Sequence, residues 1–376
     1  MKTIYLINTL LLLINCVFAQ EFEVNEIRYN ITSGNPSEVE VIEKNGGYSG
    51  NIEIPTQVTY NTITFTVTRI GSDAFYACSN VTSVVMPNTI TSIGRSTFAS
   101  CTGLTSIILP NSLTHIDESA FSKCSGLSSL TIPSSVTNIG WMAFSLCTGL
   151  NSINVDPANQ YYVSLDDVLY TTDMDTLLQF PLNKNITIFN IPNTVTIVGH
   201  RSFNGASRLE FVSIPNSVTM LGHRAFNECT GLTTIACCAL TPPTLYSSNN
   251  SNAFQDLWTL LITLYIPNES VAIYAATDVW QDFILTGVDN CNTIDVESIN
   301  KEQTYIYPNP VVNVINIEIP QGSSGNFELY DLHGRKLFSK SIDGNISIST
   351  DWLKKGMYIY YLTINELRTV GKIIKE

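Results

Sequence analysis

Apolar residues recur along residues 67–158 with a fixed period of 23 residues, and four such segments follow one another without a gap. The apolar positions occupy the same offsets in each segment, and the positions between them are mainly small and polar. The apolar columns of the first two segments are Val67, Ile70, Ala74, Phe75, Cys78, Val81, Val84 and Met86, then Ile90, Ile93, Phe98, Cys101, Leu104, Ile107 and Leu109, with Thr97 in the place of Ala74. A period of this length is the sequence signature of a stacked-repeat architecture.

One segment predicts a strand, a turn and a short helix. Ala74 and Cys78 are four residues apart, which places both on one face of a helical turn. Val84 and Met86 are two residues apart, the spacing of one face of a strand, and Pro87 ends that strand because it lacks a ladder N–H. Since a single segment cannot bury its apolar face alone, we expect the segments to stack into a solenoid with a continuous core.

The repeated motif has the form GxxAFxxC followed by LxxIxIP, and residues 104–109 are close to the strand part of a leucine-rich repeat. This motif resembles that of the BspA-like leucine-rich repeat family of bacterial surface proteins. The resemblance covers about residues 50–290 and implies a repeat solenoid with one strand and one short helix per 23-residue coil. Relatives in that family include proteins that bind host matrix components, which implies a binding role.

The array is expected to have a cap at each end. Residues 20–66 hold strand-like runs and are predicted to form the N-terminal cap of a solenoid that spans 67–290. Residues 251–290 resemble the usual C-terminal cap of such arrays, and Trp280 and Phe283 are expected to cover the last coil.

The unit at 159–194 is longer than the others and resembles the hairpin-bearing long repeat of the same family. Asp166-Asp167 stands where the family usually has Asp-Gly, so the turn is expected to differ. Asp173 and Asp175 follow closely, but the four aspartates lack the alternating spacing and the glycine of a calcium loop. We therefore predict a solvated hairpin.

A polar linker is predicted at 291–302, and short alternating strands separated by turn residues follow at 303–376, which indicates a small β-sandwich. This module is similar to the type IX secretion (Por) C-terminal sorting domain of Bacteroidetes-group bacteria. The residues that carry the resemblance are Tyr307, Pro308, Asn309, Pro310, Tyr330, Asp331, Leu332, Gly334, Arg335, Gly356, Tyr358, Lys372 and Lys375. The resemblance implies that residues 303–376 engage the type IX secretion machinery, followed by release or surface attachment.

The N-terminus and the charge indicate where the protein is located. Residues 1–19 carry Lys2, a short apolar run and Val17-Phe18-Ala19, the pattern of a secretory signal peptide. That run is too short to span a membrane, and no transmembrane span is predicted in the mature chain. The net charge of −13 argues against a nucleic-acid partner, because binding to phosphates requires a basic surface. We predict a secreted or outer-membrane surface-attached protein.

Cysteines form another periodic column, whose members are Cys78, Cys101, Cys124, Cys147 and Cys229. The clustered CxxC spacing of a zinc site is absent. Stacked neighbours are close enough for disulfides, but Ala206 fills the same column in one repeat, which favours buried free thiols. Cys237 falls in the inward strand column, and Cys238 is expected to face outward.

The chain carries no P-loop, HExxH, GxGxxG or nucleophile-elbow motif, so we predict a non-catalytic protein without a cofactor or metal site. His200-Arg201 and His223-Arg224 are 23 residues apart and should stack in adjacent coils. A metal pair or a small basic patch for an anionic ligand fits them, but a variable solvated edge is the favoured interpretation. Trp141 occupies the same edge, either as a binding anchor or, as favoured, beneath the long insertion.

The candidate binding surface is the solvent-facing row of the stacked strands. Its residues are small and mostly uncharged: Ser83, Val85, Ser106, Ile108, Ser129, Thr131, Ser152, Asn154, Phe211, Ser213 and Thr234, with Ala236 at its end. Such a row suits an extended protein or a glycan, since contact area and hydroxyl groups would provide the binding.

The sequence leads to the hypothesis of an adhesin-like, secreted or cell-surface binding protein. One alternative is a structural envelope spacer without a dedicated ligand. Another is a polysaccharide-capturing module, which exposed aromatic residues clustered with Tyr161 and Tyr162 would favour.

Overall fold

The computed structural model describes residues 21–32, 35, 37–247, 251–257, 259–289, 291, 305–307, 310–319, 322–331, 334–364 and 367–376. The predicted signal peptide and nearly all of the predicted linker lie outside these residues. In the described part of the chain, no helix has both the length and the apolar character to cross a membrane.

The chain begins with a small mixed sheet that leads directly into the solenoid. Its strands are β1 (Glu21–Val24), β2 (Ile27–Ile31), β3 (Glu38–Val41), β5 (Gln57–Tyr60) and β6 (Ile63–Ile70). Strand β4 (Gly50–Glu53) pairs instead with the strand at 81–85 in a separate sheet. β1, β2 and β3 pair antiparallel in order, and β3 pairs parallel with β6. Phe22 stacks on Tyr60 with ring centroids 4.5 Å apart and closes this end of the core.

Each regular coil contributes two parallel strands instead of the single strand predicted. The longer strands are β7 (Val81–Val85), β9 (Ser106–Ile107), β11 (Ser129–Ile132) and β13 (Ser152–Val155), and the short edge strands are β8 (Ser92–Ile93), β10 (His115–Ile116) and β12 (Asn138–Ile139). Strands of successive coils pair in register at the 23-residue offset, as Ser83 does with Ser106 and Ile93 with Ile116, except that β9 and β11 belong to separate sheets. The predicted repeat solenoid is confirmed.

The prediction of a short helix in each coil is wrong, because the GxxAFxxC segment forms a series of tight turns. Asp73 and Ala77 have left-handed backbone conformations, with φ of 57° and 56°, and the equivalent residues of later coils repeat this. The N–H groups of Asp73, Phe75 and Ala77 donate to the carbonyl oxygens of Arg95, Thr97 and Ala99 in the next coil. A helix would direct these donors back along its own axis. The four-residue spacing did not distinguish a helix from these turns, because both conformations direct Ala74 and Cys78 toward the core.

A ladder of stacked phenylalanine rings runs through the core. Centroid distances are 5.1, 5.2 and 5.7 Å for the successive pairs of Phe75, Phe98, Phe121 and Phe144. A second ladder, with distances of 5.2, 4.9 and 5.6 Å, consists of Phe180, Phe203, Phe226 and Phe254. Each fully buried ring contributes about 1.5–3 kcal/mol of hydrophobic stabilisation, so the ladder is a main source of cohesion between coils.

The long unit forms the predicted hairpin between the two ladders. Its strands are β14 (Tyr162–Leu165), β15 (Val168–Thr171), β16 (Thr176–Gln179) and β17 (Ile188–Asn190). β14 and β15 pair antiparallel around Asp166-Asp167, whose φ values of 49° and 67° are those of a tight two-residue hairpin turn. Lys184 forms an ion pair with Asp167 at 2.5 Å, and Thr171 donates a hydrogen bond to Asp175.

The remaining coils and the C-terminal end of the solenoid follow the same plan. They comprise β18 (Ile197–Val198), β19 (Phe211–Ile214), β20 (Met220–Leu221), β21 (Thr234–Cys237), β22 (Thr244–Leu245), β23 (Thr263–Pro267), helix α1 (Val271–Ala275) and β24 (Ile284–Val288), with 3₁₀ turns at Thr259–Leu261, Asn268–Ser270 and Trp280–Asp282. Trp280 and Phe283 pack on Phe254, the last ring of the ladder, at 5.3 and 5.0 Å, as predicted.

Residues 305–376 form two antiparallel sheets around one core. The first sheet joins β25 (Tyr305–Tyr307), β26 (Val314–Glu318) and β29 (Ile346–Ser349), and the second joins β28 (Lys336–Asp343), β27 (Ser324–Tyr330), β30 (Gly356–Ile364) and β31 (Leu367–Lys375). Ile315 and Ile317 of the first sheet share a buried cluster with Phe327 and Leu362 of the second. This confirms a small β-sandwich pattern.

Candidate functional site

The strand row extends over the first four coils as two paired segments, β7 with β9 and β11 with β13. Ser83 pairs with Ser106 and Ser129 pairs with Ser152, and Thr131 pairs with Asn154. These residues lie on the outer face of the strands, because their neighbours Val84, Ile107, Leu130 and Ile153 are buried. Val85 and Ile108 are 59% and 82% exposed, so the row presents two unshielded apolar side chains beside its hydroxyl groups.

The sequence predicted that the row continues to Phe211, Ser213 and Thr234. In the structure it does not. The β14–β15 hairpin lies next to β13, where Ile153 donates to the carbonyl oxygen of Asp167. Past it, Phe211 and Ala236 are buried, while Ser213 and Thr234 are partly covered. The predicted solvent-facing row is therefore wrong at Phe211 and is confined, as an open surface, to residues 83–154.

A disulfide that the sequence analysis did not anticipate explains this cover. Cys238 and Cys291 are bonded, and together with Phe211 and Ala236 they form a small apolar cluster outside the main sheet. Cys238 does point away from the main core, but it is buried by this cover. Both cysteines lie outside the periodic column, and this departure from the repeat was the one feature of the sequence that could have indicated their pairing.

The periodic cysteines are buried free thiols, as predicted. The Sγ atoms of Cys101, Cys124 and Cys147 each donate a hydrogen bond of 3.0 Å to a phenylalanine carbonyl oxygen of the preceding coil. Burial raises the pKa of the Cys101 thiol to about 12 and does the same for Cys229. Cys101 and Cys229 are therefore protonated thiols, which are poor nucleophiles.

Trp141 is exposed, contrary to the prediction that the long unit covers it. Its side chain is 65% exposed, and its ring stacks on the imidazole of His200, with centroids 4.8 Å apart and planes at 21°. Tyr246 meets the same imidazole edge-on at 4.7 Å. The three aromatic side chains form one cluster at the turn edge of the solenoid.

A hydrogen bond from the backbone of His223 to the ring of His200 links these two residues. The N–H of His223 donates to Nδ1 of His200 at 3.1 Å, and Nε2 of His223 lies 2.8 Å from the Ser251 hydroxyl. Burial lowers the pKa of His200, so the neutral ring is favoured. Among the residues that the structure describes, no group of three or more His, Cys, Asp or Glu side chains is arranged to hold a metal ion.

Residues of the sorting-domain motif occupy turns of the C-terminal sandwich. Arg335 donates to both carboxylate oxygens of Asp331, through its N–H at 3.0 Å and its Nε at 3.1 Å, and closes a turn in which Gly334 has φ of 77°. The hydroxyl of Tyr358 donates to the Lys354 carbonyl oxygen at 2.7 Å. The other described members lie on strands or beside them: Tyr307, Pro310, Gly356 and Lys372. Pro308 and Asn309 lie outside the described residues.

The coil geometry agrees with a family model described as the BspA type leucine-rich repeat region, of which six copies match over residues 54–164 and 179–276. This chain belongs to the BspA-type leucine-rich repeat family. A second model, the secretion system C-terminal sorting domain, matches residues 305–376. No curated protein shows significant similarity to the chain.

Several solved structures are similar to this BspA-type protein. A leucine-rich cell surface protein from Faecalibacterium prausnitzii is 19% identical, with 72% of this chain and 95% of that chain covered and a TM-score of 0.42. The pneumococcal vaccine antigen PcpA is 17% identical, with 72% of this chain and 99% of that chain covered and a TM-score of 0.43. A leucine-rich repeat protein from Eubacterium ventriosum is 24% identical, with 67% of this chain and 79% of that chain covered and a TM-score of 0.43.

The sorting domain indicates where this BspA-type protein is located. A tail of this kind engages the type IX secretion machinery and leads to the cell surface or to the outside of the cell. The repeats are the part of the chain that remains available for an extracellular role. Their two candidate surfaces are the strand row at 83–154 and the aromatic edge around Trp141.

Proposed function

We propose that this BspA-type protein is a non-catalytic, adhesin-like binding protein that holds an extracellular protein or glycan against its strand row. The supporting observation is the exposure of Val85 and Ile108 on a flat face where the outward strand positions are uncharged over four coils. Exposed large apolar side chains are typical of interaction surfaces when they lie in one patch.

The size of the row favours an extended ligand. Strands lie about 4.8 Å apart, so four coils give a row of about 15 Å along the solenoid axis. With about 10 Å of strand across the row, its area is about 150 Å², well below the roughly 800 Å² that each partner contributes to a standard protein–protein interface. A glycan or an extended peptide fits this row better than a large globular face.

A binding screen of the purified full-length protein against matrix proteins and polysaccharides tests the proposal. The row variant is Ser106→Glu with Ser129→Glu, which places two charges on the exposed face without touching the core. The matched control is Thr102→Glu with Ser125→Glu, at exposed turn positions of the same coils.

We expect a bound partner whose affinity falls at least about tenfold in the row variant and stays unchanged in the control. Equal affinity in both variants would locate the binding elsewhere. If no partner binds and charges along the row have no effect, the protein is better explained as a structural envelope spacer. Turnover of any substrate by the purified protein would contradict the non-catalytic assignment.

A further inference from the structure

The turn edge of the solenoid contains a notch at its fifth coil. In the regular coils five positions separate the edge strand from the ladder phenylalanine, as from Val198 to Phe203, but only three separate Leu177 from Phe180. The fifth coil therefore has no counterpart of Trp141-Met142 in the fourth coil or of His200-Arg201 in the sixth, and we call this gap the notch. Gln179 lies at the bottom, buried, with its amide donating to the carbonyl oxygens of Phe180 and Ser202.

Trp141 reaches His200 because of this notch. Trp141 belongs to the fourth coil and His200 to the sixth, yet their rings stack at 4.8 Å. Only one face of the indole is occupied by the imidazole, and the side chain remains 65% exposed. An exposed indole face held rigid by a second ring is suited to the apolar face of a sugar ring, with Tyr246 supplying a further polar tip.

Two arginine charges act on His223, whose N–H donates to His200 of this aromatic cluster. Arg201 and Arg224 occupy equivalent positions in adjacent coils, and neither forms an ion pair within the described part of the chain. Their Nε atoms are buried without a hydrogen-bond partner. Burial and the charge of Arg224 lower the pKa of Arg201, while Glu228 partly opposes this. Two cations in adjacent coils that form no ion pair with a described carboxylate favour a bound anion.

The histidines add neutral donors to the same edge. Because Nδ1 of His200 accepts the His223 N–H, the neutral ring carries its proton on Nε2, which can donate to a ligand oxygen. The protein as a whole carries a net charge of −13, which disfavours a densely charged polyanion such as nucleic acid. The notch is also only about 10 Å wide, two strand spacings, which is narrow for a folded protein.

We propose that this notch binds an acidic polysaccharide, with one sugar ring on the free face of Trp141 and the carboxylate or sulfate groups of other sugars along the chain toward Arg201 and Arg224. Sparse negative charge on a chain of stackable rings is the ligand chemistry that this combination recognises. The site is separate from the strand row at 83–154 and does not depend on the function proposed for that row.

The test uses the full-length protein and four named probes at physiological salt. Polygalacturonate supplies carboxylates, chondroitin sulfate supplies carboxylates and sulfates, and dextran and pullulan are neutral. The aromatic variants are Trp141→Ala and Trp141→Phe, and the charge variant is Arg201→Gln with Arg224→Gln. Matched controls are Tyr76→Ala, an exposed aromatic of another coil, and Arg95→Gln, an exposed arginine on the same edge.

We expect at least one acidic probe to bind and both neutral probes to bind at least about tenfold more weakly. Trp141→Ala should weaken acidic binding about tenfold or more, with Trp141→Phe closer to the parent, and the charge variant should lose the preference for acidic over neutral probes. Both controls should remain within about twofold of the parent. Arg201→Lys with Arg224→Lys, which preserves charge, separates loss of binding from loss of folding.

Several results would overturn the proposal. These are the absence of binding by both acidic probes, equal binding of neutral and acidic probes, or unchanged affinity in Trp141→Ala. Loss of a protein ligand in Trp141→Ala, without polysaccharide binding, would assign the notch to a protein partner instead. The Ser106→Glu, Ser129→Glu variant should keep full polysaccharide affinity, so that failure at the strand row and failure at the notch are distinguishable.

Discussion

Cys238 and Cys291 are joined by a disulfide, with Cα atoms 5.3 Å apart and a sequence separation of 53. The bond attaches Cys291, which lies shortly after the end of β24, to Cys238, which directly follows β21 on the outer face of the solenoid. It therefore holds the C-terminal end of the array closed at the point where the chain leaves for the sorting domain.

Removal of this disulfide should destabilise the solenoid. For a closed loop of 53 residues, loop-closure entropy predicts a loss of about 4 kcal/mol in the free energy of unfolding on Cys291→Ser. Denaturant unfolding of the full-length protein measures it. Reduction of the parent protein should reproduce the loss, and reduction of the variant should add nothing. An unchanged unfolding midpoint would contradict the prediction.

The cysteine column should be unreactive in the folded protein. Cys78, Cys101, Cys124, Cys147, Cys229 and Cys237 are buried free thiols. Because reaction needs the thiolate and access to it, alkylation at pH 8 should be negligible in the native state and should reach all six on denaturation. Mass-spectrometric mapping of the alkylated positions checks this. Rapid native labelling of Cys124, at the centre of the column, would show that the stack opens.

Stability should decrease in alkaline solution through the same thiols. The pKa of Cys101 and Cys229 is raised from 9.0 to about 12, so the folded state favours the protonated thiol. Their contribution is complete below pH 9 and is lost as the pH rises towards 12. Unfolding measured from pH 8 to 11 should show a smaller decline for Cys101→Ala than for the parent. Ala206 shows that alanine fits this column, and parallel pH profiles would disprove the link.

The phenylalanine ladder should be sensitive to a single truncation. Phe121 is fully buried between Phe98 and Phe144, so Phe121→Ala removes contacts to two coils and leaves a cavity. We expect a loss of about 3–5 kcal/mol in the free energy of unfolding. Tyr76→Ala, at a residue that is 57% exposed, should change it by less than about 0.5 kcal/mol. Similar losses in both variants would show that the ladder is not a principal source of stability.

Acidification should weaken the edge at His200. Burial lowers its pKa below 6.5, so neutral His200 stabilises the fold above that pH and the contribution is lost as the pH falls through the lowered pKa. Protonation also removes the Nδ1 acceptor for the His223 N–H. Between pH 7.5 and 5.5, the melting temperature should fall less in His200→Gln than in the parent. His115→Gln, an exposed edge histidine, is the control and should follow the parent.

Much of the fold follows from periodicity alone. The 23-residue repeat predicted the columns of Phe75, Cys78 and Val84, their burial and the stacking of coils, because identical offsets in successive coils face the same neighbours. Periodicity did not distinguish a helix from the turns at Asp73 and Ala77. Both conformations bury the same side chains, and the direction of the N–H groups toward the next coil leaves no trace in the apolar pattern.

The sequence by itself determined the solenoid, the thiol column, the C-terminal sandwich and the export address, because each rests on a local or strictly periodic pattern. The tertiary structure decided which surfaces are open. Trp141 meets His200 only because the fifth coil lacks two residues of its edge, and Phe211 is covered only because Cys238 bonds to Cys291. Both relationships join residues more than 50 positions apart at places where the repeat is broken, and a repeating pattern carries no information about contacts made at its interruptions.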